Sequence, residues 1–161
     1  MALSNKDLLV IKKCICTIEK YFERNQFATE VLNSLYTLMD GKSDYQFSGT
    51  HFKLSEFLAS PTAVKHGITL SPSPDVFNSL FNLVCNVLEP ARERLGKPIY
   101  ITSGYRSQQL NRLVGGASNS FHLYGRAADV WCDDLDKLYS ILKDLPHTEL
   151  IYTNSYIHVA L

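Results

Sequence analysis

The spacing of two candidate metal ligands constrains this chain more than any other feature of its sequence. His122 and Asp129 offer an imidazole and a carboxylate, side chains that suit a borderline cation such as zinc. The residues between them, in a straight strand, would hold the two ligands roughly 20 Å apart, whereas each must approach one ion to about 2 Å. Gly125 lies between them and can turn without a Cβ penalty. We therefore expect a turn here, and most of a metal site.

The remaining histidines supply candidates for a third ligand. Three of them are interpreted as ordinary surface or core residues: His51, His66 and His147. His158 lies in the segment YIHVA at residues 156–160, whose β-branched members would face one side of a strand and leave His158 on the other. A lone histidine on a strand is more often a hydrogen-bonded structural residue than a ligand, but the motif around His122 favours a ligand here. A hairpin about Asn154–Ser155 would bring His158 beside Asp129.

Four short motifs follow one another in the second half of the chain. They are SGYRS at 103–107, NRLVGG at 111–116, SFHLYGRAAD at 120–129 and IHV at 157–159. In this order they resemble the zinc D,D-carboxypeptidases and peptidoglycan endopeptidases of peptidase family M15. FKLSEF at 52–57 is similar to the opening of one subfamily's domain, so the resemblance covers about residues 51–161. Several linked motifs in order are far more specific than any one of them.

The resemblance implies a zinc peptidase domain and assigns roles to several residues. The Zn²⁺ ligands would be His122, Asp129 and His158. Arg106 would contact the substrate or the developing oxyanion, although in a loop it could simply be solvated. Tyr105 either packs or contacts the substrate. Ser120 either caps a turn or contacts the substrate.

The catalytic base is where this chain departs from the family pattern. Family members carry an acidic residue three positions before the last histidine or at the end of the preceding strand, where it takes a proton from the attacking water. Those positions hold Ser155 and Thr153 here. Glu149 is the nearest carboxylate on that strand, although it falls where the family usually has a glutamine. Glu149 is therefore the predicted base, provided that it shares a face with His158.

Two functions from different classes follow for residues 51–161. The first is zinc-dependent hydrolysis of a peptide bond in peptidoglycan stem peptides, by a D,D-carboxypeptidase or an endopeptidase. The alternative is a catalytically weak or inactive zinc-containing binding protein of the same fold. A third possibility is an interaction protein that works through its N-terminal helices.

Composition bounds the partners and the compartment. The formal net charge is zero and the pI is about 6.9, which excludes the electrostatic footprint of a nucleic-acid-binding protein. The four cysteines form no CxxC pair and are interpreted as free thiols in a reducing compartment. The first twenty residues lack a secretory leader, and no apolar run is long enough to span a membrane. We expect a cytoplasmic product as synthesised, released to the wall by a phage-type or other route.

The N-terminal region has its own pattern. Apolar residues recur at helical spacing over about 4–24 and 27–39, and the polar run at 41–44 predicts a linker. We expect residues 1–50 to be a helical extension packed on the domain at 51–161, with a partner-binding or dimerising hairpin as the alternative.

The domain at 51–161 alternates between helix and strand patterns. Ser60–Pro61 and Ser73–Pro74 are each a helix cap followed by proline. The second opens a helix that is expected to bend at Pro90 and end at Gly96. Its predicted buried face comprises Phe77, Leu80, Val84, Val87, Leu88 and Ala91. Further helices are predicted over 107–114 and 136–145, and strands over 99–102, 126–132, 149–152 and 156–160. The fold class is α+β, a small mainly antiparallel sheet with flanking helices.

Overall fold

The computed structural model describes residues 46–47 and 49–161. The two helices and the linker predicted for the N-terminal region lie outside the described residues, so that extension stays a prediction. Within the described part the fold is α+β, as expected, with one four-stranded antiparallel sheet and flanking helices. None of the described helices is long and apolar enough to cross a membrane.

The sheet places the centre of the predicted site on its two inner strands. Its strands are β1 (Tyr100–Ser103), β2 (Ala127–Trp131), β3 (Glu149–Tyr152) and β4 (Ile157–Ala160), in the order β1-β2-β4-β3. All neighbouring pairs are antiparallel, and one cross-strand row contains Ser103, Asp129, His158 and Ile151. Asp129 and His158 are therefore direct partners across β2 and β4, and the pairing of β3 with β4 confirms the predicted hairpin.

Six α-helices and two irregular helical turns complete the described fold. They are α1 (Leu54–Leu58), α2 (Pro61–Lys65), α3 (Pro74–Leu83), α4 (Glu89–Leu95), α5 (Gln108–Leu113) and α6 (Leu135–Lys143), with a π-helical turn at Val84–Leu88 and a 3-10 helix at Phe121–Tyr124. Serine side chains cap three of the helices: Ser60 for α2, Ser73 for α3 and Ser107 for α5. Each satisfies a backbone N–H that the first helical turn cannot pair, as the sequence predicts for the two Ser-Pro pairs.

The long helix predicted to begin after Ser73 is present, but its interruption has a different form from a simple bend. Between α3 and α4 the backbone makes the π-helical turn, in which the N–H of Glu89 donates to the carbonyl of Val84. The turn ends two residues before Pro90, whose ring would collide with the carbonyl four residues earlier in a regular α-helix. The helix ends at Gly96 in the left-handed conformation, and the six residues of its predicted buried face are all buried.

Two glycines allow the close packing that supports the site. A Cβ on Gly104 would lie 2.5 Å from Cα of Phe57 in α1. Gly125 has φ +65° and ends the 3-10 helix, and its Cβ would lie 2.5 Å from the carbonyl oxygen of Val76 in α3. The predicted turn between His122 and Asp129 therefore exists, and it is packed directly against α3.

Replacing Gly125 by alanine is expected to lower the free energy of unfolding by about 2–5 kcal/mol, because a left-handed conformation and a backbone clash combine there. Gly115 is the matched control, since its φ is +70° and nothing lies within 4 Å of a Cβ there. Gly115→Ala should lose only the backbone contribution of about 1–2 kcal/mol. Urea unfolding of both variants measures the difference, and equal losses would show that the contact with α3 contributes nothing.

Candidate metal centre

Three predicted ligands converge from three separate elements. His122 comes from the 3-10 helix, Asp129 from β2 and His158 from β4, and one ligand atom of each lies within 4.8 Å of the other two. Nε2 of His122 is 3.3 Å and Nδ1 of His158 is 2.8 Å from Oδ1 of Asp129. Donors about 2 Å from one tetrahedral ion lie ~3.3 Å from each other, so these separations are near those that a shared ion requires. The cluster can therefore hold a metal ion.

The orientation of His122 is fixed by a backbone carbonyl. Its Nδ1 lies 2.7 Å from the carbonyl oxygen of Gly104, which can only accept a hydrogen bond. Nδ1 must therefore carry a proton, and Nε2 is the nitrogen that faces Asp129 and can offer its lone pair to a metal ion. The carbonyl is held in turn, because the next residue, Tyr105, donates its N–H to Phe57 at 2.8 Å. A ligand histidine typically has such a partner on its second nitrogen, so His122 fits a metal.

Asp129 is kept ionised despite its burial. Burial raises the pKa of this carboxyl, but hydrogen bonds and charge interactions with His122 and His158 outweigh it and hold the pKa well below its usual range. Oδ2 also accepts from Nη2 of Arg106 at 2.9 Å. The carboxylate is therefore available as an anionic ligand, with Oδ1 toward the two imidazoles and Oδ2 toward the guanidinium.

Arg106 is the cation that balances Asp129. Its Nε and Nη2 both donate to Oγ of Ser103, at 3.0 and 2.9 Å, so the guanidinium is anchored on β1 beside the carboxylate. Arg126, which lies nearer to Asp129 in sequence, donates to the carbonyl of Leu161 instead. Sequence reasoning assigned Arg106 to the substrate and missed this ion pair, for which the spacing of Ser103 and Arg106 was the available signal.

The two predicted substrate residues occupy different surroundings. Tyr105 is half-buried and lines a cavity of about 170 Å³ together with Arg106, Thr102, Leu110 and residues 59–62. Ser120 is half-buried at the start of the 3-10 helix, and its side chain makes no capping hydrogen bond. Of the two roles considered for Ser120, a turn cap or a substrate contact, the cap is therefore absent from the described structure.

Glu149 lies against the opposite edge of the His158 ring. It pairs with Ala160 across β3 and β4, which puts it on the same face as His158, and its Oε2 is 3.1 Å from Nε2 of His158. This nitrogen is buried and makes no hydrogen bond within the described structure. Oε2 of Glu149 and Nε2 of His158 are within ion-pair distance, but their geometry is not that of a hydrogen bond. The condition set for Glu149, a shared face with His158, is met.

Thr153, at the end of β3 where the resemblance implies an acidic residue, has its side chain engaged in a turn. Oγ1 of Thr153 accepts from the N–H groups of Tyr156 and Ser155, at 3.0 and 3.3 Å, and donates to the carbonyl of Tyr156 at 2.7 Å. Ser155 is exposed within the same turn. Neither residue supplies a carboxylate, and the hydroxyl of Thr153 stabilises the connection between β3 and β4.

Comparison with known proteins agrees with this geometry. The sequence model of the family described as Peptidase M15 matches residues 50–160. A relative described as zinc D-Ala-D-Ala carboxypeptidase, from Streptomyces albus G, is 52% identical over 44 residues. That alignment covers 27% of this chain and only 17% of the relative. Because the family match extends over well more than half of the chain and includes all three clustered residues, the chain belongs to the peptidase M15 family.

Proposed function

We propose that this protein is a zinc-dependent hydrolase of a peptide bond in peptidoglycan stem peptides, of the D,D-carboxypeptidase or endopeptidase type. The observation that carries the proposal is the convergence of Nε2 of His122, Oδ1 of Asp129 and Nδ1 of His158. Two imidazoles and one carboxylate form a common donor set of catalytic zinc centres, which keep a fourth position open. Membership of the family and the zinc carboxypeptidase name of the relative support the same reaction class.

In this hydrolase the metal ion and the residues around it would have separate roles. Zinc, when bound, supplies Lewis acidity toward the scissile carbonyl and acidifies a water molecule. Arg106, anchored on the hydroxyl of Ser103, holds the carboxylate of Asp129 in place. The hydrogen bonds of Arg106 within the described structure use Nε and Nη2, so we assign Nη1 to the oxyanion of the substrate. Tyr105 and Ser120 are proposed to contact the stem peptide.

A second function is favoured by one specific observation. The acidic position of the family is held by Thr153, whose hydroxyl is bound in a turn, and Glu149 approaches a ring nitrogen instead of open space. A chain with this arrangement can bind zinc and a peptide while turning over slowly, because general-base assistance typically contributes about 10²- to 10⁴-fold. A zinc-containing binding protein with weak or no activity is therefore the alternative.

Incubation of the zinc-loaded full chain with purified muropeptides separates the two functions. The hydrolase is expected to give products whose mass spectra show a cut stem peptide, and a chelator should stop the reaction until zinc is restored. His122→Ala is the control, since a contaminating hydrolase would act in that sample too. Saturable muropeptide binding without any zinc-dependent product would contradict hydrolysis and favour the binding protein.

A further inference from the structure

We infer that Glu149 is a positioning residue for His158, holding its ring in the form that binds metal, and is not the base that accepts a proton from water. This inference rests on the proposed function, because it requires a metal ion on Nδ1 of His158. It concerns a carboxylate outside the three-ligand cluster, at Nε2, the ring nitrogen of His158 that the cluster leaves unused.

The first support is the geometry of the two nitrogens of His158. Nδ1 faces Oδ1 of Asp129 at 2.8 Å, and Nε2 faces Oε2 of Glu149 at 3.1 Å. The ring therefore lies between two carboxylates, one on each nitrogen. The lone pairs of these nitrogens point away from each other, so Glu149 is on the far side of the ring from the three ligand atoms.

The second support is the proton count of the imidazole. A metal ion on Nδ1 requires the lone pair there, which leaves the ring proton of neutral His158 on Nε2. Nε2 is buried, and a buried N–H without an acceptor is unfavourable. Oε2 of Glu149 is near enough to accept that proton in a hydrogen bond after a small rotation, which its 44% exposed side chain allows. When a metal ion is bound to Nδ1, Nε2 of His158 can thus donate a hydrogen bond to Glu149. In the described structure the same two groups are close but make no hydrogen bond.

The third support is the register that brings the carboxylate there. Glu149 is opposite Ala160, the neighbour of His158 two positions along the same face of β4. The alanine methyl is fully buried and short, so the longer glutamate side chain can pass over it to reach the ring. A base must contact water on the metal ion, and Oε2 of Glu149 lies instead at Nε2, across the His158 ring from the three ligand atoms.

Zinc affinity of Glu149 variants, measured in competition with a chromogenic chelator, tests the inference without reference to turnover. Glu149→Ala is expected to bind zinc about 10- to 100-fold more weakly, as is typical when the outer partner of a ligand histidine is removed. Glu149→Gln retains an acceptor oxygen, so its affinity should stay within a few-fold of wild type. The matched control is Glu93→Ala, an exposed glutamate on α4, which should bind zinc as wild type does.

A spectroscopic readout separates positioning from a general loss of structure. In zinc-loaded protein labelled with ¹⁵N-histidine, the Nε2 proton of His158 should give an observable, slowly exchanging signal, and Glu149→Ala should lose it. The His122 Nδ1 proton, which bonds to Gly104, should be unchanged in the same spectrum and shows that the site is still folded.

The opposite pattern would overturn the inference. If Glu149→Ala binds zinc as tightly as wild type while Glu149→Gln abolishes muropeptide hydrolysis, Glu149 is the base and not a positioning residue. Failure of the proposed function looks different, because zinc-loaded wild-type protein would then give no cut muropeptide, whatever the zinc affinity of Glu149→Ala. The zinc titrations therefore test the positioning role, and the muropeptide products test the proposed function.

Discussion

Zinc is expected to be lost from the protein when His122, Asp129 or His158 is replaced. In the proposed centre each would supply one of three protein ligands, and two ligands alone would not hold the ion through dialysis against a weak chelator. Wild-type protein should retain zinc at this site, and each variant should retain none there by elemental analysis. His147→Ala is the matched control, because this exposed histidine bonds through Nδ1 to its own loop carbonyl at Leu145.

The choice of substitution at Asp129 matters for this experiment. Removing the whole carboxylate would leave the largely buried guanidinium of Arg106 without its partner, a loss that typically costs about 3–5 kcal/mol of stability. Asp129→Asn keeps an oxygen for Arg106 while removing the ligand charge, so it should remain folded without zinc. Full zinc retention by His158→Ala would remove His158 from the site and contradict the three-ligand centre.

Introduction of a glutamate at Thr153 is expected to raise zinc-dependent turnover by about 10²- to 10⁴-fold, the usual contribution of a general base. Thr153 follows β3 directly. Because side chains alternate between the two faces of a strand, residue 153 is expected on the same face as Glu149 and Ile151. Thr153→Gln is the matched control, since it has the same size without a carboxylate. Initial rates on a saturating muropeptide measure the gain.

The same substitution has a structural consequence that must be measured beside turnover. The three hydrogen bonds of the Thr153 hydroxyl to the turn would be lost, at a cost of about 1–3 kcal/mol that Thr153→Gln should share. A gain in rate seen only in Thr153→Glu would identify an unfilled base position. Equal rates in both variants, with full dependence on Glu149, would show that the base is already present.

The features predicted correctly from the sequence are those that depend on residues close together in the chain. Gly125 between two ligand residues predicts a turn, and the alternation around His158 predicts a strand whose face can be assigned. The hairpin of β3 and β4 was predicted from the turn at Asn154–Ser155, and the pairing of β4 with β2 then places His158 opposite Asp129. The four linked motifs, through the family resemblance, then indicated which residues belong to one site.

The features that were not predicted depend on side-chain orientation between distant segments or on the detailed path of the backbone. Arg106 and Asp129 are 23 positions apart, and their ion pair depends on how Ser103 anchors the guanidinium. The side of His158 that faces Glu149 depends on a rotamer and on the register of β3, neither of which residue types specify. The π-helical turn before Pro90 likewise reflects one of several ways to remove the same clash.

A crystal structure of the zinc-loaded protein, with anomalous data at the zinc edge, tests the central claim most directly. We expect an anomalous peak about 2.0–2.2 Å from Nε2 of His122, Oδ1 of Asp129 and Nδ1 of His158, with Glu149 hydrogen-bonded to Nε2 of His158. A peak that lacks any one of these three bonds, or zinc bound to His158 through Nε2, would contradict it.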